Sequence, residues 1–87
     1  DTVMQQGFAQ NYKIRTSVLV FLKNSMAPLV LYFDNPQKEY MELLEICKSQ
    51  STIAKIIEKE PLGPVKRVAF LSNQICAVAM QEEQVMA

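Results

Sequence analysis

Apolar positions along this chain change period twice, and the changes mark its elements. Across residues 12–22 (YKIRTSVLVFL) β-branched and aromatic residues dominate, the composition of a strand. Alternation puts Tyr12, Ile14, Thr16, Val18, Val20 and Leu22 on one side. Lys13, Arg15 and Ser17 fall on the other, followed there by Leu19 and Phe21. The strand therefore begins with one wet face and ends with two apolar ones, which must be covered twice. Residues 23–28 (KNSMAP) interrupt it with turn-forming Asn24 and Ser25 and with Pro28, which cannot donate to a ladder. Residues 29–33 (LVLYF) then read as a second strand, paired with the first as a hairpin.

The period now becomes helical. Asn35 is an N-cap and Pro36 stands at the first helical position, where a missing N–H costs nothing. Tyr40, Leu43, Leu44 and Cys47 recur at i, i+3, i+4 and i+7, so the spacing predicts a helix over 36–48 with those four facing a sheet. Met41 and Ile46 flank the stripe, and Lys38 and Glu42 are spaced for a weak i,i+4 pair. Residues 52–60 (TIAKIIEKE) fit two readings. Ile53, Ile56 and Ile57 suit one helical face capped by Ser51 or Thr52, while the same β-branched residues suit a strand. Strand is preferred, because Pro61, Leu62, Gly63 and Pro64 supply the turn that leads to an antiparallel partner. Residues 65–71 (VKRVAFL) form that partner, Ser72 and Asn73 a tight turn, and 74–81 (QICAVAMQ) the last strand. Its alternation sets Cys76, Val78 and Met80 against Ile75, Ala77 and Ala79.

Residues 1–11 lack a clear period and read as an N-terminal tail, in which Val3, Met4 and Phe8 could form a short docking helix. Residues 12–81 form a single α+β domain and 82–87 a polar C-terminal tail. The predicted order is β-β-α-β-β-β: a small antiparallel sheet with one amphipathic helix packed on one face.

Composition narrows the classes of function. Nine basic and nine acidic residues give zero net charge, so no general field draws the chain to nucleic acid or anionic lipid. Neutrality also weakens the repulsion that keeps small proteins apart. A membrane span needs ~20 nearly uninterrupted apolar residues. The run 17–33 is cut near its middle by Lys23, Asn24, Ser25 and Pro28, so no membrane insertion is expected. Residues 1–10 have neither the basic nor the apolar region of a signal peptide. With only two cysteines, a reducing, cytoplasmic setting is expected.

The chain has no histidine, and hence lacks the commonest general base, proton shuttle and metal ligand. Gly7 and Gly63 stand alone, so no glycine-rich phosphate cradle exists. Cys47 and Cys76 cannot by themselves form the usual four-ligand zinc site. Each reads as a small buried hydrophobe on an apolar face, with a free thiol. Glu58, Glu60, Glu82 and Glu83 lie near strand ends, where carboxylates are solvated rather than catalytic. No enzyme, metal or cofactor is expected.

Two binding surfaces remain. One is the second apolar face, where Leu19 and Phe21 of the first strand and the small Ala77 and Ala79 of the last could meet a second copy, a dimer being favoured. An unidentified protein partner could use the same face. The other is a basic group, Lys13, Arg15, Lys66 and Arg67, beside Tyr12. If the strands bearing them were neighbours, they would form a weak anion- or nucleic-acid-binding patch. The leading expectation is a non-catalytic interaction module that self-associates, and a nucleic-acid-binding domain is the alternative.

Overall fold

The computed structural model describes residues 12–49 and 53–86. The expectations for the N-terminal tail, for the cap at Ser51 or Thr52 and for Ala87 lie outside the described residues. In order, the elements are β1 (Tyr12–Leu22), β2 (Leu29–Leu31), α1 (Pro36–Lys48), β3 (Ile56–Lys59), β4 (Val68–Leu71), a 3-10 turn (Ser72–Gln74) and β5 (Ile75–Met86). This is the α+β order read from the sequence, arranged as two antiparallel sheets: β2-β1-β5, and the hairpin β3-β4.

Among the described residues 53–60, the strand reading holds for a short element, Ile56–Lys59. Its alternation explains that outcome. Ile57 pairs with Phe70 and joins the core, whereas Ile56 pairs with Leu71 and both remain exposed. Three strand limits differ from expectation. The second strand stops at Leu31, after which Tyr32 makes one bridge to Leu62. The fourth begins at Val68, three residues beyond Val65. The fifth does not end at Gln81 but runs to Met86, so residues expected as a tail pair with β1 down to Tyr12. Polar residues are accommodated there because the far end of the β1–β5 ribbon is exposed.

Helix α1 follows its local signals. The Asn35 side chain accepts from the Lys38 backbone N–H at 3.2 Å, and Pro36 opens the helix. At the other end the Ser49 hydroxyl donates to the Glu45 carbonyl at 2.9 Å. Of the four residues on the predicted stripe only Leu43 is fully buried; Tyr40, Leu44 and Cys47 are half-buried. The reason is the narrow platform beneath, where β2 has three residues and a single helix meets mainly β5 and β1.

The core consists of Val18, Val20, Leu31, Leu43, Phe70 and Ile75. These come from the sheet, the helix and the hairpin, so α1 and β3-β4 share the same side of β2-β1-β5. Ile75 reaches the core through a β-bulge. The register passes from Phe21↔Ala77 to Leu22↔Ile75, leaving Cys76 as the extra residue. Strict alternation would group Ile75 with Ala77 and Ala79; the bulge instead turns it inward, to 1% exposure, and leaves Cys76 exposed. The expectation that Cys76 is buried is thus corrected by one inserted residue.

Two backbone positions are demanding. Asn24 has φ 63° in the turn before β2, where asparagine is one of the few non-glycine residues tolerated. Gly63 has φ 83°, and a Cβ there would sit 3.2 Å from the Tyr32 ring.

Truncation should separate core from surface on α1. Leu43→Ala is expected to cost ~2–5 kcal/mol in chemical denaturation. Met41→Ala, on the exposed side of the same helix, should stay within about 0.5 kcal/mol of the parent. Equal losses for the two would contradict this packing.

Candidate functional site

The open face of the three-stranded sheet carries the first candidate. Register fixes which residues share it: Leu19 lies opposite Val30 on one side and Ala79 on the other, and Phe21 lies opposite Ala77. Their neighbours Val18 and Val20 point to the helix and are fully buried, so this row points away from it. Among the described residues, no element packs over the row. Val30 and Ala77 are exposed, while Leu19, Phe21 and Ala79 are half-buried among their own neighbours. The structure therefore brings together all four positions read from the sequence, Leu19, Phe21, Ala77 and Ala79. It adds Val30, which the alternation of residues 29–33 could have supplied.

Farther along the same face the chemistry becomes polar. Arg15 pairs with Glu83 at 3.4 Å and donates to the Tyr32 hydroxyl at 3.1 Å. Tyr32 in turn donates to Glu83 at 3.0 Å, and the guanidinium carbon lies 4.2 Å from its ring centroid. The hydrogen bond to Glu83, followed by desolvation, raises the Tyr32 pKa and keeps the phenol protonated as a donor. Ser17, expected on the wet face, is buried and directs its hydroxyl at the Gln81 carbonyl, 3.5 Å away.

The basic residues do not converge as envisaged. Lys13 and Arg15 belong to β1, whereas Lys66 and Arg67 precede β4, and β1 and β4 lie in different sheets. Arg15 is engaged by Glu83 and Arg67 by Glu60 at 3.5 Å, so two of the four charges have carboxylate partners. The condition for a shared patch, adjacency of the two strands, is not met.

A third group ties the hairpin to the helix. Lys59 on β3 reaches Glu39 at 2.8 Å and Glu42 at 2.9 Å on α1. Glu42 thus makes its direct ion pair across the fold with Lys59, and Lys38, one turn away on the helix, adds a weaker attraction. Burial pulls the Lys59 pKa down, but hydrogen bonds and attraction from the two carboxylates outweigh it, so the net direction is upward. The hydrogen bond from Lys59, reinforced by its charge, lowers the pKa of Glu42. Beside this network Phe33, Glu58, Glu60 and Arg67 help line a cleft of 360 Å³. Its lining sets three carboxylates, Glu39, Glu58 and Glu60, against the two cations Lys59 and Arg67, and includes no histidine or cysteine. Among the described residues, no three metal-ligating side chains cluster, and no helix is long and apolar enough to cross a membrane.

No family model, curated protein or solved structure matches this chain. Its own geometry is therefore the basis for a functional reading.

The Lys59 network should shape the pH dependence of stability. Glu42 has a depressed folded pKa, so its contribution is in place above the unfolded carboxylate pKa of ~4.3 and is lost as pH falls through the folded value. Lys59 has a raised folded pKa, so its contribution is complete below ~10.4 and is lost as pH rises through the folded value. Urea midpoints should fall in both limbs. Lys59→Met should flatten both limbs and cost about 1–3 kcal/mol at neutral pH, between the exposed and buried limits for an ion pair.

The two thiols should differ in accessibility. Cys76 is exposed, with its sulfur 3.3 Å from the Phe21 carbonyl, while Cys47 packs against the core. Native protein treated with iodoacetamide is expected to label at Cys76 first, with the half-buried Cys47 following more slowly. Equal labelling rates in the folded state would contradict the placement of α1.

Proposed function

We propose that this chain is a small, non-catalytic interaction module that self-associates through the open face of its β2-β1-β5 sheet. The observation that carries this reading is the row of Leu19, Phe21, Val30, Ala77 and Ala79, set by register on the face opposite α1. One helix and one hairpin occupy the other side. Covering the row with a second copy removes apolar surface from water at roughly 25 cal/mol per Å². The alanines permit close approach, and zero net charge leaves little long-range repulsion to oppose it. A dimer is the simplest closed form of such a contact.

A nucleic-acid-binding reading has less support, because Arg15 and Arg67 are paired with Glu83 and Glu60. The exposed Cys76 thiol suits a reducing, cytoplasmic setting.

Light scattering on the full chain tests the proposal. The expected result is a mass above that of one chain at high micromolar concentration. Phe21→Glu should lower that mass, weakening the contact at least ~10-fold because it puts an unpaired carboxylate into an apolar interface. Lys13→Glu, on the exposed polar stretch, should leave the mass unchanged. A parent chain that stays monomeric at high micromolar concentration would sink this reading.

A further inference from the structure

The open edge of β5 offers a second surface, distinct from the apolar face. In the order β2-β1-β5 this strand is terminal. Its inner edge pairs with β1 along its length, and among the described residues no strand pairs with its outer edge from Cys76 to Met86. An edge of that length is about 37 Å, roughly twice the usual strand. Proteins ordinarily blunt such edges with proline, charged side chains and above all lysine, a bulge or a covering element. Residues 76–86 (CAVAMQEEQVM) contain neither proline nor lysine; their charges are Glu82 and Glu83, the latter paired with Arg15, and the bulge lies at the extreme end, at Cys76.

The ribbon itself adds a second argument. Among the described residues β2 pairs only with Val18–Val20, and residues 12–17 and 81–86 pair with each other alone, as a two-stranded arm. Helix α1, about 20 Å long, can cover only about half the length of that strand pair. Tyr12, Ile14 and Met86 accordingly remain 49%, 58% and 68% exposed. Two-stranded ribbons are marginal in water and gain from a third strand.

From these observations we infer that the outer edge of β5 pairs antiparallel with β5 of a second copy, so that two three-stranded sheets become one continuous sheet. The sequence favours one register. With the twofold axis at Gln81, all eleven residues from 76 to 86 find partners, and Cys76 lies opposite Met86. Glu82 then faces Met80 of the other copy, and Glu83 faces Ala79, so no carboxylate lies directly opposite its own image, and Glu82 meets its own only on the diagonal. Moving the axis to Glu82 or Glu83 sets like charges directly opposite, which is destabilising. Moving it to Met80 leaves Met86 unpaired. The inference rests on self-association but uses backbone groups that the face contact leaves untouched. A twofold axis normal to the sheet puts both apolar faces on the same side, where a second such pair can cover them. Edge and face contacts together then close as a tetramer with dihedral symmetry.

Amide hydrogen exchange on the full chain, read residue by residue by NMR, tests the edge. Alternate β5 amides point away from β1. They should exchange roughly 10-fold more slowly after a 100-fold rise in concentration, because the monomer fraction of a tight pair falls with its square root. The protection should persist in Phe21→Glu, which disrupts only the face; should that variant not fold, the parent measurement stands alone. On mild oxidation Gln81→Cys should form an 81–81 disulfide, and its absence would overturn the register. If light scattering shows an assembly while these amides exchange as fast as those of the 23–28 turn, edge pairing is wrong and the face reading stands. If the parent chain is monomeric at high micromolar concentration, both fail.

Discussion

The antiparallel pairing of β1 with β5 is the interaction on which the rest of the fold depends. It joins Tyr12 to Met86 at one end and Leu22 to Ile75 at the other, across nearly the whole described chain. Everything between those strands must return within their reach, which forces β2, α1 and β3-β4 onto the same platform. Closing such a loop is entropically costly, and the local elements cannot repay that cost singly. The hairpin of four-residue strands and a helix with one fully buried side chain become stable only when stacked on the ribbon. Folding should consequently be cooperative and governed by this long-range pairing.

The bulge at Cys76 is the device that lets the ribbon serve both sides. β1 alternates regularly, sending Val18 and Val20 inward and Leu19 and Phe21 outward. β5 must follow that alternation from Ala77 onward, yet it must also deliver Ile75 to the core. Inserting one residue changes the parity, so Ile75 and Val78 fall on the core side while Ala77 and Ala79 stay outside. Strand period alone could not give that outcome.

Legibility followed the range of the determining interaction. Helix α1 was readable to the residue because its cap, first-turn proline and 3.6-residue stripe are local. The limits of β1 were equally plain, from the β-branched and aromatic run between Tyr12 and Leu22. The end of β5 was not: Glu82 to Met86 look like a solvated tail, and only pairing with residues 12–16 makes them a strand. The same applies to Cys76, whose exposure depends on a register shift opposite Phe21. The apolar candidate site was legible as alternation, since Leu19 and Phe21, then Ala77 and Ala79, share parity within their strands. The basic candidate required β1 and β4 to be adjacent, and strand adjacency is decided by topology that spacing does not encode. Carboxylate partners such as Glu83 for Arg15 were hidden for the same reason.

The open sheet surface is divided along its length, and that division constrains how it can be used. At one end Phe21, Leu19 and the alanines offer contacts that are favourable but nearly without direction, as hydrophobic contacts are. At the other, Arg15, Tyr32 and Glu83 satisfy one another through a closed set of hydrogen bonds and an ion pair. A surface sliding toward that end would remove water from an ion pair without offering it new partners, which is unfavourable. A surface sliding the other way meets the turn at residues 23–28, where Lys23 and Asn24 are exposed. The polar cluster and the turn therefore bracket the apolar row and limit the registers a covering surface can adopt. An apolar patch becomes specific when the groups around it are costly to cover, and here β1 supplies both the patch and one of its boundaries through the alternation of Arg15, Ser17, Leu19 and Phe21.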